Sequence, residues 1–153
     1  MNETFCDGSI ADNEISLPSY AVVRKDRNRH GGGVAIYIRN SLTFIRHEDL
    51  EKDDVECIWI EIKCKRRQPV LISSMYRLPS SCIELVDKLG DIIDKASCER
   101  KQMIVIGDFN YDVSISDGVV NSNPITSCFD LFQMTQLINE PTRVLNPLEL
   151  QSI

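Results

Sequence analysis

Histidine is scarce in this chain. Only His30 and His47 occur, and neither stands beside a cysteine. Six cysteines are present, yet none forms a Cys-x-x-Cys pair. Together these gaps exclude the ordinary spacing of a zinc site. No apolar run approaches the ~20 residues that a membrane-spanning helix needs. The opening Met1-Asn2-Glu3-Thr4 lacks the basic-then-apolar pattern of a secretory signal. The scattered cysteines are therefore expected to be reduced thiols in an intracellular compartment. No Gly-x-x-x-x-Gly-Lys phosphate loop occurs, and the Gly31-Gly32-Gly33 run precedes a strand pattern rather than a helix. A strained turn is the expected use of those glycines. No internal repeat or low-complexity segment appears. The net charge of −6 argues against nucleic-acid binding by bulk attraction. Two local basic clusters run the other way: Arg24, Lys25, Arg27, Arg29 and His30, and then Lys63, Lys65, Arg66 and Arg67. Such clusters are commonly solvated faces, with phosphate contact by Arg27 or Arg29 as the functional alternative.

With 153 residues and 42% hydrophobic content, the chain can bury the core of one domain. The stretch Met103-Ile104-Val105-Ile106-Gly107-Asp108-Phe109-Asn110 organises the rest. Four consecutive apolar residues read as a central strand buried on both faces, and Gly107 as the point where the backbone turns sharply. Asp108 and Asn110 then place an acceptor and an amide together at a strand end. Gly, Asp and Asn are also the ordinary turn residues, so the local pattern alone stops there.

The flanking sequence supplies more elements. Residues 20–25, 33–39, 42–46 and 70–76 read as strands, with a polar, glycine-bearing connection of hairpin type between the first two. Residues 48–56 read as an acidic loop. Residues 57–63 alternate and read as a half-buried strand. Ser81 with Glu84 makes a capping-box signature, and Leu85, Leu89, Ile92 and Ala96 recur at helical spacing, giving a helix over 82–97. Residues 111–122 read as a polar loop. Asn123-Pro124 opens a second helix reaching about Met134, and Leu137-Ile138 reads as a short strand. The whole is an α+β domain.

Six stretches together resemble the endonuclease/exonuclease/phosphatase superfamily. The resemblance is nearest to the apurinic-endonuclease-like domain of LINE-type (non-LTR) retrotransposons. They are Glu3-Thr4-Phe5, Arg24-Lys25-Asp26-Arg27, His30 to Tyr37, Tyr76-Arg77-Leu78-Pro79-Ser80-Ser81, Ile106-Gly107-Asp108-Phe109-Asn110, and Asn139-Glu140-Pro141-Thr142-Arg143. The resemblance implies a four-layer α/β/β/α sandwich of DNase I-like type, incomplete here, with residues 1–153 as a single partial domain. It implies metal-dependent hydrolysis of a phosphodiester, DNA nicking by a retrotransposon-derived endonuclease. Glu3 is implied as the metal-ligating carboxylate, for Mg²⁺ or Mn²⁺. Tyr76, Asp108 and Asn110 are implied as catalytic: Tyr76 near the scissile phosphate, Asp108 on the attacking water, Asn110 as its neighbour on a phosphate oxygen. DNA is the implied partner, with a downstream reverse transcriptase in a full-length element and a nuclear location if it functions there. No membrane partner is expected.

The sequence also departs from the family's pattern. Phe5 stands where Trp is usual and Leu78 where Pro is usual. A preceding strand with an Asn is absent, as are a later Asp and a Ser-Asp-His segment. The chain is therefore expected to be trimmed at both ends and weak or inactive. The alternative is a non-catalytic remnant that binds nucleic acid or protein; on either reading the trimmed chain is expected to be marginally stable or to aggregate in isolation.

Overall fold

Turn chemistry and alternation build the first hairpin. In the computed structural model, which describes residues 1–111, 115–116, 119–120 and 123–138, β1 (Tyr20–Lys25) pairs antiparallel with β2 (Val34–Arg39), Tyr20 opposite Arg39 and Lys25 opposite Val34. The opening residues run along the start of β2. Asn2 bridges Val34, and the Met1 amine donates to the Ala35 carbonyl at 2.9 Å. The chain divides into two compact units, Met1–Asn110 and Tyr111–Ile153.

A second sheet in the first unit holds β3 (Thr43–Arg46), β4 (Glu56–Lys63), β5 (Val70–Tyr76) and β6 (Gln102–Asp108), in the order β3-β4-β5-β6. β4 and β5 form an antiparallel hairpin, whereas β5 and β6 are parallel. Parallel neighbours need a crossover, and α1 (Glu84–Ser97) supplies it. The two sheets meet through Val23, Val34 and Ile38 on one side and Ile58, Ile60 and Tyr76 on the other. Each such aliphatic side chain contributes about 1.5–3 kcal/mol when fully buried.

The burial of two strands differs from the sequence reading. The alternating stretch 57–63 is not half-buried. Cys57 and Trp59 are buried as fully as Ile58 and Ile60, Glu61 is buried too, and Trp59 has β5 on one side and β3 within the same sheet on the other. Buried Leu71, Ser73 and Met75 of β5 share the face of Trp59, and α1 buries Val86, Leu89, Ile92, Ile93 and Ala96. Ion pairs from Lys52 to Asp91 and from Lys88 to Asp54 tie α1 to the segment before β4. Conversely, β6 is not central among the described residues. It has β5 alone as a neighbour, and Ile106 is 60% exposed.

Local signals fared unevenly. Asn123 caps α2 (Pro124–Leu131) as expected, its side chain accepting from the Thr126 N–H at 2.9 Å. α2 ends three residues before Met134. Ser81 does not cap α1. The N-cap is Ile83, with no side-chain hydrogen bond, and the Ser81 carbonyl is held by Arg77 Nη2 at 2.7 Å in the turn leaving β5. The expected polar loop 111–122 carries a two-residue hairpin, β7 (Ile115–Ser116) with β8 (Val119–Val120). The acidic loop 48–56 includes a 3₁₀ turn at Glu48–Leu50, and Glu56 belongs to β4. Leu137 and Ile138 form no strand and are exposed. The 139–143 motif lies outside the described residues. No helix among the described residues is long and apolar enough to cross a membrane.

Buried Glu61 is held by Lys101 Nζ at 2.6 Å and by His47 Nε2 at 3.2 Å. Hydrogen bonding to Lys101, outweighing the penalty of burial, keeps its carboxyl below the ordinary value of 4.5. A folded-state value below the unfolded one means stability that is whole above pH 4.5. It drains as the pH falls through the folded value. Glu61→Gln should therefore flatten the acid limb of melting temperature against pH; an unchanged limb would remove Glu61 from acid unfolding.

Candidate active site

Strand register places three polar side chains in one row. Glu56 of β4 faces Tyr76 of β5, and Tyr76 faces Asp108 of β6. Register partners on adjacent strands point to the same side, here toward the first sheet. The opening residues of the chain close over this row. The Tyr76 hydroxyl donates to Glu3 Oε1 at 2.6 Å, across 73 positions of sequence. Burial, and then the Glu3 carboxylate, push the Tyr76 hydroxyl up to about 12. The phenol thus remains a hydrogen-bond donor at neutral pH. Asp108 is near enough for its charge to act on Tyr76 in the same direction.

Asp108 ends β6, and Gly107 before it is not the turn. Gly107 lies inside the strand, paired with Met75. The turn comes at Asn110, with φ +49, a left-handed conformation that Asn tolerates. The Asn110 N–H donates to Asp108 Oδ1 at 3.0 Å. Its side-chain amide donates to the Arg77 carbonyl at 2.6 Å, so the carboxamide secures the strand end while a second N–H remains on the same nitrogen. The Arg77 N–H in turn donates to the Asp108 carbonyl at 2.9 Å.

From sequence Arg27 was named as a phosphate-contact alternative and Glu56 was not singled out. Their ion pair at 2.9 Å spans the ends of the two sheets. Arg27 Nε donates to the Gly31 carbonyl at 2.8 Å, and Glu56 accepts from the Gly33 N–H. The Arg27 guanidinium stands 6.0 Å from the Tyr76 ring centroid. Gly32, at φ +75, makes room for this pair: a Cβ there would lie 2.4 Å from the Arg27 guanidinium carbon and 2.6 Å from Glu56 Oε2. The glycine run is thus the strained turn its sequence suggested, wrapped around a charge pair. Asn2 was also missed, and its Oδ1 accepts from the Ser74 hydroxyl at 3.1 Å. Only the adjacency to Glu3 could have pointed to it.

The first basic cluster is largely neutralised internally. Arg24 pairs with Asp12 at 2.8 Å, Arg29 with Asp7 at 3.2 Å, and Lys25 donates to the Lys52 and Val55 carbonyls. The second cluster is exposed in the β4–β5 turn. Tyr76 and that turn lie at opposite ends of β5, separated by roughly 20 Å at about 3.3 Å per residue.

A family model described as the Endonuclease/Exonuclease/phosphatase family matches residues 1–124. The chain belongs to that family. The endonuclease domain of TRAS1, a telomere-specific non-LTR retrotransposon, is similar in fold, with a TM-score of 0.55 at 16% identity. The match covers 76% of this chain and 52% of that one, so the chain spans about half of the TRAS1 domain's length. No curated protein matches. The α+β architecture of two packed sheets is thus the DNase I-like fold of the endonuclease/exonuclease/phosphatase family. The row Glu56, Tyr76, Asp108, with Glu3 above it, lies at the strand ends of that fold.

Proposed function

We propose that the chain is the catalytic portion of a metal-dependent nuclease that hydrolyses a DNA phosphodiester. One observation carries this reading: the phenol of Tyr76 rests on the exposed carboxylate of Glu3, while Asp108 occupies the next position in the same row. A phosphate entering the strand ends would meet an acid, a donor and a base together.

Glu3 is the residue to hold a divalent cation, Mg²⁺ or Mn²⁺. Its oxygens are hard donors, and one of them is already oriented by Tyr76. No group of three His, Cys, Asp or Glu side chains among the described residues could form a closed cage. That donor set fits a cation that keeps several waters and binds through one or two carboxylates plus substrate phosphate. When bound, such an ion polarises the phosphate oxygens. Asp108 takes the proton from the attacking water, the new P–O bond forms, and the bond to the leaving 3′ oxygen breaks, that oxygen taking its proton from solvent water. Asn110 fixes Asp108 through its backbone N–H and offers its remaining amide hydrogen to a phosphate oxygen. Tyr76 keeps Glu3 oriented by donating to it. A downstream reverse transcriptase and a nuclear location accompany this reading.

Plasmid nicking in Mg²⁺, against the same protein in chelator, tests it. Tyr76→Phe removes one hydrogen bond to a charged group and should slow nicking about tenfold, with a higher Mg²⁺ requirement. Nicking that persists in chelator would end the metal-dependent reading.

A further inference from the structure

Phe5 lies two residues from Glu3, with its ring at the Gly31 turn and partly uncovered. It is 47% exposed, and its φ of +53 is a left-handed conformation that a bulky residue rarely adopts. Glu3 has the same left-handed φ of +53, so the two residues that straddle Thr4 are both held in a costly backbone conformation. The Phe5 N–H is pinned to the Gly32 carbonyl at 3.2 Å. The ring edge lies 3.8 Å from where a Cβ of Gly31 would sit, and Arg27 Nη2 lies 3.0 Å from that same point. Phe5 and Arg27 therefore meet at the Gly31 turn, the Arg27 guanidinium reaches on to 6.0 Å from the Tyr76 ring centroid, and Glu3 is two residues from Phe5.

We propose that Phe5 is a stacking platform for a nucleobase displaced from its own stack beside the scissile phosphate. Every base has a π face, so an exposed aromatic ring next to a phosphate site binds bases with little regard to sequence. In an intact duplex those faces are covered by neighbouring base pairs. Single strands, bulges, mismatches and ends expose them. The inference deepens the nuclease reading and rests on it: the favoured substrate is DNA with an unstacked base at the cleavage point. The bond from the Phe5 N–H to the Gly32 carbonyl ties the backbone that carries the ring to the glycine turn beside Arg27.

Binding in chelator at low salt tests the proposal without any cleavage. Two probes are compared by fluorescence anisotropy: a short single-stranded oligothymidylate, and the same phosphodiester chain built from abasic sugars. Phe5→Ala should weaken binding to the first by about tenfold and to the second by less than about twofold. Phe5→Trp should bind the first probe at least as tightly as the parent. Phe5→Leu keeps apolar contact with Gly31 but lacks the π face, and it should behave like the alanine variant; it carries the comparison if alanine lowers the melting temperature. Equal weakening on both probes, no weakening on either, or no measurable binding by the parent chain would overturn the proposal. A chain that shows this pattern yet never nicks keeps the stacking role and loses the hydrolytic one. A chain that nicks but is indifferent to Phe5 does the reverse.

Discussion

Replacing Asp108 by alanine is expected to slow plasmid nicking about a thousandfold while leaving the melting temperature nearly unchanged. The first half follows from the proton. A positioned general base contributes roughly 10²–10⁴-fold, and Asp108 is the carboxylate at the end of β6 in register with Tyr76. The second half follows from its surroundings. Asp108 is exposed, and its side chain accepts a local hydrogen bond from the Asn110 N–H at 3.0 Å. Losing that bond costs about 1 kcal/mol or less. Asp108→Asn separates the two roles, because the amide oxygen can still accept from Asn110 but cannot take a proton from water. It should nick as poorly as alanine and melt like the parent. Equal nicking by the parent and both variants would remove Asp108 from the reaction. Absence of nicking in all three would leave the chain as a nucleic-acid- or protein-binding module.

The elements legible in the sequence were those whose cause is local. Residues 20–25 and 70–76 are strands to the residue, and Asn123-Pro124 opens α2, because alternation, turn residues and an N-cap act within a few positions. Burial was not legible, because it depends on what lies beside a strand. The run 103–106 looks central by composition, yet β6 has one neighbour among the described residues. The 57–63 stretch looks half-buried, yet Trp59 is sealed. Glu61 stays inside because Lys101, forty positions on, reaches it. For the proposed site, Glu3 and Tyr76 were named through family motifs alone, whereas Asp108 and Asn110 were already marked by their place at the end of the 103–106 run. Arg27 and Glu56 were invisible as a pair, since nothing near position 56 announces a partner 29 residues earlier. An acidic loop and a basic run read separately become one ion pair only when the two sheets are stacked.

Gly107→Ala is expected to destabilise the protein by about 3 kcal/mol, at the upper end of what an overpacked methyl costs. The position carries no special backbone angle, so the penalty has another origin. A Cβ at Gly107 would sit 2.3 Å from the Met75 carbonyl oxygen and 3.1 Å from its carbon. Both atoms are backbone, and Met75 is the register partner of Gly107 in the parallel β5–β6 ladder. A flexible side chain could swing aside, but a paired carbonyl can retreat only by opening the ladder. For a chain of this size the loss corresponds to a fall in melting temperature of roughly 10 °C. Gly8→Ala is the control, because a Cβ there meets nothing within 4 Å; its effect should stay within about 0.5 kcal/mol. The same substitution also reaches the site. Asp108 follows Gly107 directly and is held against Arg77 by the ladder's last backbone bond. Opening the strands at Met75 therefore moves Asp108 away from Tyr76, and nicking should fall even at temperatures where the variant remains folded. If Gly107→Ala melts with the parent, β6 does not lie against β5 as described, and the row that aligns Glu56, Tyr76 and Asp108 loses its third member.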